Sequence, residues 1–180
     1  MSRILVAGIG NLFLGDDAFG IEVVQRMRGR SERQDVRIQD FGICGIDLTY
    51  ALLEDIALAI LVDATQRGGA PGSLYLLDAS ASLQSDEAQA SRQSGPPSLL
   101  LSPHEMQPDK VLQTVGLLGG TCHRVLLVGC EPESFGTESD QEGRIGLSAT
   151  VAASVEQAIT LIDSLLDAAA KDEAERVVMT

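Results

Sequence analysis

The strongest constraint on this chain is a set of short, unbroken apolar runs separated by helix-length segments. Ile4–Ala7, Leu58–Val62 and Val125–Val128 contain no polar residue, the pattern of strands covered on both faces. Val36–Gln39 is a fourth, less apolar run. Between them, Ile21, Val24 and Met27 recur at helical spacing within Phe19–Met27, and Asp47–Leu53 and Pro108–Leu118 supply two more helical stretches. A last helix is predicted from an N-cap at Thr150 to about Ala170, with Val151, Val155, Ala158, Ile159, Ile162 and Leu166 on one stripe. This alternation predicts an α/β fold, a three-layer sandwich with a twisted, mostly parallel five-stranded sheet between helices. The fifth strand, Ser73–Leu77, follows Asp63 after a short Gly/Pro-rich connection. No helical crossover fits there, so this strand is read as antiparallel to its predecessor.

A chain of 180 residues suits one domain, read here as residues 1–170 followed by a flexible tail at 171–180. Aromatic residues are 3% with no Trp, so the core is built from Leu, Ile, Val and Ala. The net charge of −13 argues against nucleic acid, whose phosphates need clustered Lys and Arg, and against an anionic membrane surface. Cys44, Cys122 and Cys130 form no CxxC pair, which excludes a disulfide framework and a thiolate zinc site. The apolar N-terminal stretch is too short for a signal peptide, and the longest apolar run, Ile56–Val62, is too short to span a bilayer. A cytoplasmic monomer is expected. Ser80–Ser98, rich in Ser, Gln and Ala, and the acidic Ser134–Gly143 read as surface loops.

Open α/β sheets bind ligands at the carboxyl ends of their strands. The first strand opens there into Gly8-Ile9-Gly10-Asn11-Leu12-Phe13-Leu14-Gly15-Asp16-Asp17. A dinucleotide fingerprint needs a third glycine where Phe13 stands, and two carboxylates at a helix mouth repel a pyrophosphate. One of Asp16 and Asp17 is expected to cap the following helix. Asp63 ends the third strand and is either a presented carboxylate or a turn former before Thr65, Gly68 and Gly69. His104, in Ser102-Pro103-His104-Glu105, stands at an element boundary, whereas His123 belongs to the opposite edge of the sheet. A lone histidine is more often a structural hydrogen-bonder than a ligand. Together, Asp17, Asp63 and His104 make a three-donor N/O set suited to a borderline divalent metal such as Zn, Ni, Co or Mn. No nucleophile elbow or evident Cys/His pair is present.

These residues carry a specific resemblance. Ile4–Asn11 running on to Gly15-Asp16-Asp17 and Gly20, then Asp40–Gly45, Val62-Asp63-Ala64, Ser102–Glu105, and Leu127–Glu133 followed by Gly146-Leu147-Ser148, resemble in order the nickel–iron hydrogenase maturation proteases. The resemblance implies an endopeptidase that removes a C-terminal extension from the hydrogenase large-subunit precursor after nickel insertion. It places metal ligands on Asp17, Asp63 and His104, with nickel supplied by the precursor. It also marks Asp40 as a further functional acid, although a turn-forming role before Gly42 fits that residue equally. Two positions depart from the family pattern, which carries Glu at Asp17 and often reads Asp-Gly-Gly-Thr where this chain has Asp40-Phe41-Gly42-Ile43. The rival readings are a metal-dependent hydrolase of small amides, which needs a closed pocket, and a nickel-binding chaperone, which binds the precursor without cutting it.

Overall fold

The computed structural model describes residues 3–28, 33–84, 107–120, 122–135 and 145–178. Five strands form one sheet: β1 (Arg3–Ile9), β2 (Val36–Gly42), β3 (Ile56–Ala64), β4 (Leu74–Asp78) and β5 (Arg124–Cys130), in the order β2-β1-β3-β5-β4. The β1/β2, β1/β3 and β3/β5 pairs are parallel, and β4 runs antiparallel to β5. The helices are α1 (Phe19–Arg28), α2 (Gly45–Leu53), α3 (Pro108–Leu117) and α4 (Ala149–Val178).

Alternation within the central strands divides the core into two layers. Ile4 and Val6 of β1, Leu58, Ile60 and Val62 of β3, and Leu126 and Val128 of β5 pack with Phe19, Val23, Val24 and Met27 of α1 and the apolar stripe of α4. Leu5, Ala7 and Ile9, Ala59 and Leu61, and Val125 face the other way, onto Leu48, Ala51 and Leu52 of α2 and Val111, Leu112 and Val115 of α3. This is the expected three-layer α/β sandwich. Cys122 and Cys130 are buried, all three cysteines are free thiols, and burial pushes Cys130 up to about 12. The α4 stretch Ala149–Asp172 is long and apolar enough to cross a membrane, but its apolar stripe is part of the core.

Four details differ from the sequence reading. β4 has the expected direction, yet its hydrogen-bonded neighbour is β5; that later strand occupies the slot beside β3. Residues at the start of the supposed 80–98 loop form a 3-10 turn, Ser80–Gln84, and the rest of that loop lies outside the described residues. The α4 cap is Ser148, whose hydroxyl accepts the Val151 N–H at 3.3 Å, rather than Thr150. The helix also continues beyond Ala170 to Val178. Ala, Lys and Glu dominate 168–175, and extending an existing helix through such residues costs little.

Two glycines set how closely α1 approaches the sheet. A Cβ on Gly20 would overlap the carbonyl oxygens of Ile9 and Val62, and one on Gly8 would overlap the Gly20 carbonyl and the Val24 side chain. These glycines therefore serve packing, which agrees with rejecting a phosphate loop. The close contact holds the 3-10 turn Gly15–Ala18, carrying Asp16 and Asp17, over the carboxyl ends of β1 and β3.

Candidate active site

The parallel pairing brings the sequence-selected acids to one end of the sheet. Gly8 of β1 is in register with Asp40 of β2 and Val62 of β3, and Asp63 is the next residue along β3. Asp17 reaches the same end from the 3-10 turn. Its Oδ2 accepts the Asn11 N–H at 2.7 Å. Burial lifts the Asp17 carboxyl above its ordinary range, and the Asn11 hydrogen bond only partly offsets this. Asp63 is perturbed further: burial first, and then the neighbouring Asp17 charge, push it to about 7 against the pull of the Ala64 N–H. The fold thus joins Asp17 and Asp63 in one electrostatic site, where two like charges disfavour double ionisation.

Asp40 sits at the same sheet end in a different setting. Its Oδ1 accepts the Gly42 N–H at 2.9 Å, and its Oδ2 accepts Gln25 Nε2 at 3.4 Å. That geometry matches the turn-forming alternative. His104 lies outside the described residues, as does Glu105. His123 is exposed beside the start of β5, the end of the sheet away from the acids.

The expectation that Asp16 or Asp17 caps the next helix is corrected. Asp16 is 1% exposed and binds main chain far away in sequence. Its Oδ2 accepts the N–H groups of Glu133 (2.9 Å) and Ser134 (3.0 Å), and its Oδ1 accepts that of Ser148 (2.6 Å). Burial raises this carboxyl, but the hydrogen bonds from Ser148, Ser134 and Glu133 outweigh it, and the net shift is downward. The anion also faces the N-terminus of α4, a favourable end of the helix dipole.

Sequence reasoning assigned no role to Glu131, which follows β5. It is 4% exposed and accepts Tyr75 Oη (2.7 Å) and the N–H groups of Arg67 (2.8 Å) and Gly68 (3.1 Å). The Tyr75 hydroxyl, more than any other group, holds this carboxyl below its usual range. The turn after β3 is therefore fastened by Glu131 through the Arg67 and Gly68 N–H groups. Its sequence signals were an acid directly after an apolar strand and its place in the Leu127–Glu133 stretch.

Two half-buried carboxylates that repel each other fit part of a donor set for a divalent cation. Among the described residues, no group of three or more His, Cys, Asp or Glu side chains is arranged to hold a metal. The third expected donor, His104, lies outside them.

Residues 21–165 match the family described as hydrogenase maturation protease. The chain is 31% identical over 161 residues to the Hydrogenase 2 maturation protease of Escherichia coli K12, covering 87% of this chain and 86% of that protein. Its fold superposes with a TM-score of 0.70 on the E. coli hydrogenase maturating endopeptidase HybD, at 29% identity over 93% of each chain. A hydrogenase 2 maturation peptidase from a Thaumarchaeota archaeon gives 0.67 at 29% identity, over 92% of this chain and 99% of that one.

Proposed function

Because the chain belongs to the hydrogenase maturation protease family, we propose that it removes the C-terminal extension of a nickel–iron hydrogenase large-subunit precursor after nickel insertion. The observation that carries this reading is the Asp17/Asp63 pair, with the Asp63 carboxyl at about 7. An acid with that pKa exists in both protonation states near neutral pH, the condition for efficient proton transfer. Coupled carboxyls titrate as a unit. One member takes a proton from the attacking water while the other protonates the departing amine. Both carboxyls are raised, Asp63 further than Asp17 because the Asp17 charge adds to its burial, so Asp17 is assigned as the base and Asp63 as the acid.

Asp17, Asp63 and His104 are the residues that would reach nickel already held in the precursor; Asp63 would do so only in its ionised form and would donate a proton only while it is not a ligand. A divalent ion there would supply charge that polarises a carbonyl or acidifies bound water. Nickel then acts as a maturity signal: a nickel-free precursor offers these carboxylates no cation, and the productive pose is weakly populated. Asp40 serves as a support of the rim through Gly42 and Gln25.

Intact mass spectrometry of the precursor, incubated with the wild-type chain or with Asp63→Asn, tests the assignment. The expected result is loss of one C-terminal peptide with the wild type and none with Asp63→Asn. Stable binding without any mass change, for the wild type as well, would instead support the chaperone reading.

A further inference from the structure

The turn joining β1 to Asp17 displays three consecutive apolar side chains to solvent. Leu12 is 42% exposed, Phe13 63% and Leu14 39%. Ile43, also 39% exposed, follows β2 in the neighbouring turn, and the two turns meet through the Gly10 N–H on the Gly42 carbonyl at 3.0 Å. These four are half of the eight large apolar side chains exposed among the described residues. Such a cluster opposes solubility and marks a contact surface.

The turn is well fastened. The Phe13 N–H donates to Asn11 Oδ1 at 3.0 Å, and the Leu14 N–H donates to the Asn11 carbonyl at 3.1 Å. The Asn11 N–H meets the Asp17 carboxylate, and the Asp17 N–H returns to the Leu14 carbonyl at 3.2 Å. The apolar display and the proposed base are thus parts of one hydrogen-bonded loop. Phe13 and Asp17 are four residues apart in this one fastened turn, so a chain lying against Asp17 passes within a few residues of the apolar display.

We infer that Leu12, Phe13, Leu14 and Ile43 form a substrate-docking lip for an apolar, non-acidic segment of the precursor beside its scissile bond, with Phe13 as the anchor. This rests on the function proposed above. Charge selects this occupant: a second copy would bring another net charge of −13 against a face carrying Asp17, Asp40 and Asp63, and an anionic lipid surface would be repelled in the same way. Phe13 is the largest and most exposed of the four, so it offers the most apolar area to bury.

Binding is measured in the Asp63→Asn background with immobilised precursor, and cleavage in the otherwise wild-type chain. Phe13→Ser should raise Kd and KM by about tenfold or more with the saturated cleavage rate retained. Phe13→Leu should restore affinity to within about threefold, because the contact is apolar rather than aromatic-specific. Leu118→Ser, an exposed apolar truncation at the C-terminal end of α3, should change neither constant. Unchanged binding and KM in Phe13→Ser would overturn the lip, as would equal losses in Leu118→Ser. Sedimentation showing a wild-type dimer that Phe13→Ser dissolves would assign the patch to self-association and overturn it too. If the wild type neither binds nor cuts the precursor, the underlying function fails, and the inference falls with it.

Discussion

Asp16 and Asp17 are adjacent in sequence, yet their surroundings push them in opposite directions. Asp16 receives three main-chain N–H groups and stays ionised, whereas Asp17 receives one and, with Asp63, is lifted. Asp16→Ala leaves those buried donors without their acceptor and is expected to cost about 3 kcal/mol, read from chemical denaturation. Asp63 predicts a pH dependence of the metal-free protein. Its ordinary value of 3.8 rises to about 7 in the folded state, so folding takes up protons across that interval. The stability from this group is complete below pH about 4 and is lost as pH rises through about 7. Asp63→Asn should flatten that decline, so its melting temperature gains on the wild type between pH 5 and pH 8. A constant difference across that range would show that Asp63 is not perturbed.

At the scale of elements, α1 is held against the sheet by the absence of side chains. Gly20→Ala directs a methyl into two carbonyl oxygens of β1 and β3; a loss of about 3 kcal/mol is expected, with reduced activity because the Asp17 turn moves with the helix. Lys171→Ala or Glu175→Ala should shift stability by less than about 0.5 kcal/mol, since both side chains are exposed. The strands were legible because continuous apolar runs have few other uses, and their order at the carboxyl end selected Asp17 and Asp63 before any coordinates. What escaped was mostly the choice of one particular distant partner. The β4 neighbour depends on β5, some fifty residues further on. Ser148 and Thr150 are chemically equal cap candidates; the Asp16 carboxylate on the Ser148 N–H helps fix the choice. Glu131 finds the Arg67 N–H 64 residues away, a separation that no local pattern encodes.

For the whole molecule, the charge of −13 and the paired acids at one sheet end make a surface that disfavours acidic partners; the proposal that this pair meets a cation predicts a measurable shift. Nickel binding to that pair should stabilise the folded state by mass action, about 2.7 kcal/mol at a hundredfold excess over Kd. The thermal shift should be larger at pH 7.5 than at pH 5.5, where protons compete for Asp63, and it should vanish in Asp17→Ala. Proteolysis and its dependence on nickel are read together from the precursor itself, prepared with and without nickel and measured by intact mass after incubation with the wild-type chain. Release of a single C-terminal peptide is expected from the nickel-loaded precursor alone. Equal release from the nickel-free precursor would contradict the role of nickel as the signal read by Asp17, Asp63 and His104.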